Sequence, residues 1–247
     1  MIMGRPLIQA CLNGARPPAS HPQLPVTPVQ IGQAAAAAVA AGADCVHVHA
    51  KDGDGLDTLL ADSVDAVVMD VRVAAPEVPI SVTTGAWALP DPTARVAAVK
   101  AWSVLPDVAS VNWHETGSAG VVEALLEHGI GVEAGLWTME DVRSWAASPV
   151  RDEVRRVLIE LPDGIGDPQI VCLAQDMLEA VREVSPHVPV LLHGEGESAW
   201  PALLHALRLG IETRIGLEDT LHLPDGRIAP DNAALVRAAR ALAAPLT

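Results

Sequence analysis

The triplet His47-Val48-His49 concentrates more potential chemistry than any other short stretch of this chain. Side chains at i and i+2 of a strand share a face, so both imidazoles point the same way, about 7 Å apart along the strand. Converging side chains can bring both onto one metal ion, and two histidines plus a carboxylate with an open fourth position are a known catalytic zinc set. A bare His-x-His is more often a pair of hydrogen-bonded core histidines. Its position at the end of a strand, with inward carboxylates available, turns the balance toward metal. Glu115, Glu133, Glu160, Glu195 and Glu218 are the candidate third ligands. In Arg214-Ile215-Gly216-Leu217-Glu218, alternation puts positions 214, 216 and 218 on one face, with the small Gly216 leaving room between two long polar side chains. The blander reading is an internal Arg214–Glu218 ion pair, with Asp219 as a helix N-cap or turn residue.

Those groups lie far apart in sequence and need a scaffold that gathers them. Short apolar runs predict strands at 7–12, 44–49, 79–83, 108–112, 131–134, 156–161, 188–193 and 211–217. Longer amphipathic stretches predict helices at 29–41, 58–75, 91–103, 118–128, 139–147, 168–184, 198–209 and 230–243. Gly42, Gly129 and Gly210 supply stops, and Asp91 with Pro92 is a helix-start signal. Eight βα units with no spare element predict an α/β protein, a (β/α)8 TIM barrel forming a single domain over 1–247, with an open doubly wound sheet as runner-up. The Pro-rich stretch 17–28 is a long first loop. Either fold puts the site at the C-terminal ends of the strands, where this chain carries Asn13, His47 and His49, Ser81 and Thr83, Ser110 and Asn112, Glu133, Glu160, His193 and Arg214.

Composition narrows the classes. Of 247 residues, 50% are hydrophobic and 19% charged, enough apolar material for a core and too much for a disordered chain. Acidic residues outnumber basic ones 31 to 16, a formal charge of −15 that argues against nucleic-acid binding and against anionic membrane surfaces. Six Trp stand beside no Tyr and no Phe, so the core is aliphatic and no tyrosine can act as a catalytic acid. Three scattered cysteines give neither a disulfide framework nor a Cys-rich zinc site. The Ala-rich run 34–41 is too short to span a bilayer, and the first residues lack a signal-peptide layout. A cytoplasmic protein is the expectation.

The segments HPQLPVTPVQIG, AGADCVHVHAKDGDG, SVTTGA, VASVNWHE, GVEAGLWT and RIGLEDTLHLPDGRIAPDNAALV run through almost the whole chain. Together they resemble the β-keto acid cleavage enzyme family, typified by 3-keto-5-aminohexanoate cleavage enzyme. The resemblance implies a zinc-dependent (β/α)8 barrel, usually a homotetramer, that converts a β-keto acid and acetyl-CoA into acetoacetate and a new acyl-CoA. It implies His47, His49 and Glu218 as Zn2+ ligands and Arg214 and Asp219 as catalytic residues. Ser81 or Thr83, Gly85, Ser110, Asn112 and Glu133 fall on substrate-binding strand ends, with Glu133 second to Asp219 for proton transfer. Two departures stand out. Many members carry a Glu after the first strand for an amino-bearing substrate; this chain has Arg16 nearby, which suits a neutral or anionic tail. The loop after the seventh strand, His193-Gly194-Glu195-Gly196-Glu197, is acidic for the neighbourhood of a CoA pyrophosphate. A CoA-independent zinc-dependent aldolase or lyase is therefore the main rival. A metal-dependent hydrolase and a barrel that only binds a ligand rank below it.

Overall fold

The computed structural model describes residues 5–164 and 167–244. Eight strands, β1 (Ile8–Cys11), β2 (Cys45–Val48), β3 (Ile80–Thr83), β4 (Val108–Asn112), β5 (Gly131–Leu136), β6 (Arg156–Leu161), β7 (Val190–Gly194) and β8 (Glu212–Ile215), pair in sequence order. All pairs are parallel, and β8 returns to β1, so the sheet is a closed barrel. Eight helices alternate with them: α1 (Pro28–Ala40), α2 (Ala61–Ala74), α3 (Pro92–Ala101), α4 (Ser118–Glu127), α5 (Met139–Ala146), α6 (Asp167–Val184), α7 (Ala199–Leu209) and α8 (Asn232–Ala243). This is the predicted (β/α)8 barrel, and closure through β8–β1 excludes the open sheet.

Local sequence explains the element ends. Asp91 caps α3, accepting from the Ala94 amide at 2.7 Å, with Pro92 in the first turn. Thr27 and Gln30 form a capping box on α1. The Ala-rich face of α1 lies close against α2: a Cβ on Gly32 would stand 2.8 Å from the Asp70 carbonyl oxygen. With no Phe or Tyr, Ile8, Ile80, Leu136, Leu158 and Ile159 are the large fillers around the barrel, and Trp145 is the bulkiest fully buried side chain. The long first loop folds over the C-terminal mouth, where His21 Nε2 meets the Ala229 carbonyl at 2.8 Å.

One boundary differs in a way that matters for the site. β8 ends at Ile215 rather than 217, and the chain turns sharply: the Asp219 and Thr220 amides both donate to the Gly216 carbonyl at 3.0 Å. A Cβ on Gly216 would run into the Cys11 backbone. Gly216 thus lets the turn close onto β1, where the Glu218 amide donates to the Cys11 carbonyl at 3.2 Å, rather than separating two side chains. Among the described residues, no helix is long and apolar enough to cross a membrane.

Candidate active site

At the C-terminal mouth, His47 on β2 and His49 one residue past its end converge on Glu218 from the turn after β8. His47 Nε2 lies 3.9 Å and His49 Nε2 3.8 Å from Glu218 Oε1. One donor atom from each residue falls within 4.8 Å of the others. The Glu218 carboxylate is held down as an anion: burial pushes it up, but Arg214 and the three nearby imidazoles of His47, His49 and His193 outweigh burial. Its Oε2 is buried with no hydrogen-bond partner. Burial pushes His47 down to about 4, so its imidazole is neutral and its lone pair is free. A neutral His47 imidazole and His49, gathered about a carboxylate that keeps one buried oxygen orphaned, are a donor set that fits a divalent cation. Of the other candidate ligands, Glu115 is occupied by Arg95, Asn112 and the Ala86 amide, and Glu133 by Arg156.

The outer nitrogens of both histidines are fixed. His47 Nδ1 meets Ser81 Oγ at 2.8 Å, Ser81 donates to Glu133 Oε2 at 2.5 Å, and Glu133 Oε1 pairs with Arg156 at 2.5 Å. His49 Nδ1 meets Asp57 Oδ2 at 2.7 Å, and Lys51 Nζ lies 2.5 Å from Asp57 Oδ1. Burial alone would raise Asp57; hydrogen bonds and charge from His49 and Lys51 bring it down to about 2. Trp87 donates to the same Asp57 oxygen at 2.7 Å and stacks on His49 with ring centres 5.9 Å apart. Carboxylates behind metal-binding imidazoles fix tautomer and orientation. Asp57 was invisible as a site residue in the sequence. The available signal is the DGDG turn, which folds the chain back so that Lys51 and Asp57 bridge.

Beside the triad, Arg214 binds Asp219 Oδ1 at 2.9 Å and Glu218 Oε1 at 3.1 Å. Asp219 is fully buried with Oδ2 unpartnered. Burial, with Glu218 and Glu195 nearby, pushes its carboxyl well above the usual range against the pull of Arg214.

A 370 Å³ cavity opens over the triad and Arg214, bordered by Arg16, His47, His49, Thr83, Ser110, Asn112, Glu160, Arg214 and Glu218, with Trp87 and Trp137 as walls; Asp219 lies behind Arg214, outside its lining. The structure therefore gathers the three ligand candidates with Arg214, Thr83, Ser110, Asn112 and Arg16. Arg16 is anchored by its Nε on the Glu218 carbonyl at 3.1 Å. Ser81 and Glu133 lie beneath the cavity and instead border a 580 Å³ cavity at the opposite end of the barrel. Gly85 is covered by Trp87, whose ring a Cβ there would strike.

Closed barrel, strand-end metal-type cluster and buried acid–base groups define a (β/α)8-barrel enzyme with its site at the C-terminal mouth. Residues 6–247 match the family model for beta-keto acid cleavage enzyme, and the chain belongs to that family. A curated relative, the 3-oxoadipate:acetyl-CoA acetyltransferase of Cupriavidus necator strain H16, is 25% identical over 261 residues, covering 96% of this chain and 87% of the relative. Among solved structures, the apo form of ObcA superposes with TM-score 0.72 at 20% identity over 89% of this chain. The ternary complex of ObcA with a C4-CoA adduct and oxalate also superposes with TM-score 0.72 at 20% identity. The chain spans 61% and 63% of those two ObcA chains, and at that identity the likeness concerns the fold.

Proposed function

We propose that this chain transfers an acyl group from a β-keto acid to CoA with acetyl-CoA as partner substrate, using Zn2+ held by His47, His49 and Glu218. In that reaction the bond between C2 and C3 of the keto acid breaks. The acetyl carbon joins C2 to give acetoacetate, and the remaining acyl group leaves on the CoA sulfur. The observation that carries the reading is the His47–His49–Glu218 cluster beside Arg214 and Asp219 in a chain of this family. The curated relative's name, with 3-oxoadipate and acetyl-CoA as its substrates, supports the same reaction.

The bound cation supplies Lewis-acid polarisation of the keto oxygen. Arg214 offers a fixed positive charge to the substrate's carboxylate. Asp219 takes a proton from C2 and returns it, its raised affinity for protons suiting a group that must hold one between steps. Thr83, Ser110 and Asn112 orient the substrate's oxygens from the β3–β4 wall of the cavity. Ser81 and Glu133 hold His47 in register from below. Arg16 faces the cavity and selects a carboxylate-bearing or neutral tail over an ammonium-bearing one. Homotetramer assembly and a cytoplasmic location belong to the same reading.

The test is to incubate the purified protein with acetyl-CoA and a panel of β-keto acids, including 3-oxoadipate, and follow acetoacetate. Production with at least one member, lost on chelation and restored by Zn2+, is expected. Keto acid consumption that does not need acetyl-CoA would transfer the protein to the aldolase or lyase reading.

A further inference from the structure

Glu160 and His193 form a buried polar pair that the roles above leave unused. Glu160 sits on β6, four strands round the barrel from the histidines of β2, and borders the cavity. His193, on the adjacent β7, stands directly opposite it in register and is almost fully buried. His193 Nε2 lies 3.2 Å from Glu160 Oε2, and Nδ1 lies 3.8 Å from Asp219 Oδ1. Neither ring nitrogen has a hydrogen-bond partner. The slot for Glu160 is built into the sequence: a Cβ on Gly135 of β5 would collide with Glu160 Oε1 and stand 2.9 Å from Asn112 Oδ1. A buried imidazole with neither nitrogen satisfied is costly, so its retention calls for a reason.

The proposed reaction moves two kinds of proton. One leaves and rejoins C2, the task given to Asp219. The other belongs to sulfur. When the acetyl carbon leaves CoA, the C–S electron pair stays on sulfur, and the resulting thiolate takes up a proton. When that thiol then attacks the C3 carbonyl, the S–H proton must be removed as the new C–S bond forms. A keto acid held by the β2–β8 side leaves the β6 wall to the thioester. We propose that Glu160 is a further catalytic residue, which gives a proton to the CoA sulfur as acetyl leaves and takes it back as the thiol attacks, with His193 as the positioning residue behind it. The inference rests on the thioester reaction proposed above.

A neutral His193 suits either state of Glu160. Its Nε2, 3.2 Å from Glu160 Oε2, can accept from the protonated carboxyl in one tautomer or donate to the carboxylate in the other once the two realign, and the ring itself stays uncharged in both. Burial holds His193 well below its usual range, which keeps it neutral. Burial also pushes Glu160 up to about 7, with Arg214 opposing and Glu218 reinforcing; His114 and Glu133 also face it, as does Glu195. A group that half-titrates near neutrality can both donate to a thiolate and accept from a thiol.

The experiment separates the two protons. Hydrogen exchange at C2 of 3-oxoadipate in D2O, without acetyl-CoA, reads the carbon proton; acetoacetate formation with acetyl-CoA reads both. In Glu160→Gln, exchange above the uncatalysed rate should persist while acetoacetate formation falls about 10²-fold with KM little changed. Asp219→Asn should lose both. Wild-type kcat should fall as pH rises past the point where Glu160 loses its proton; Glu160→Gln should lack that limb. His193→Gln should move the limb without abolishing it. Metal content and thermal unfolding of each variant serve as fold controls. Acetoacetate formation within about twofold of wild type in Glu160→Gln would overturn the proposal alone, as would equal loss of both readouts, while no turnover by the wild type would overturn the reaction itself and this proposal with it.

Discussion

His47, His49 and Glu218 are each held by contacts that would be pointless without something between them. Ser81 and Asp57 lock the outer nitrogens, and Arg214 takes one Glu218 oxygen and leaves the other bare. Alanine at any of the three should remove most bound zinc while the barrel stays folded, because the aliphatic core does not depend on the site. Elemental analysis of the purified variants reads this directly; full zinc content in Glu218→Ala would move the third ligand elsewhere. Asp57→Asn tests the outer contact: it keeps the shape but withdraws the charge behind His49, and should weaken zinc affinity about 10- to 100-fold by competition with a chelating dye. At the cavity rim, Arg16→Glu should shift kcat/KM from 3-oxoadipate toward 3-keto-5-aminohexanoate. Opposite charges there at roughly 4 Å and an effective dielectric of about 20 interact by about 4 kcal/mol before screening. An unchanged ratio of the two constants would remove Arg16 from substrate selection.

At the scale of elements, the site depends on how the ends of β1 and β8 meet. Gly14, just past β1, has φ +56°, and a Cβ there would strike the Glu218 side chain. Gly14→Ala should therefore cost zinc affinity as well as stability, whereas an alanine at the open, equally left-handed Gly129 (φ +72°) should cost stability alone. Zinc titrations beside thermal unfolding of both variants check this, and matching zinc affinities would contradict it. The element order and the inward histidine pair were legible because periodicity and strand alternation are local properties. The turn at 216–220 was not, because its cause is the close approach of β1, some two hundred residues away in sequence. Alternation tells which face a residue occupies but not its depth. Ser81 and Thr83 read alike on β3, yet one supports His47 from below and the other faces the cavity. The Glu160–His193 pairing needed the β6–β7 register, which no single strand carries.

For the whole molecule, a closed barrel assembles ionisable groups in a dry interior and leaves their strain in the stability curve. In zinc-free protein, folded Glu160 keeps its proton up to about 7, whereas an unfolded glutamate releases it near its ordinary value of 4.5. Between those values the folded state binds more protons, so this group's contribution to stability falls as pH rises, by up to about 3 kcal/mol. His47 acts in the opposite sense: folded near 4 and ordinarily 6.5, it makes stability rise with pH over that range. Glu160→Gln should accordingly gain stability relative to wild type between about pH 5 and pH 7 in urea unfolding, and an equal pH response in both proteins would contradict the account. The central claim, that this barrel joins an acetyl group from CoA to the carboxymethyl end of a β-keto acid, is tested most directly by isotope. Acetyl-CoA labelled with 13C at the acetyl carbonyl is supplied with unlabelled 3-oxoadipate and the zinc-loaded protein, and the products are read by NMR. Label is expected at the keto carbon of acetoacetate, with unlabelled acyl-CoA formed in equal amount. Label retained in acetyl-CoA while 3-oxoadipate is consumed would contradict it.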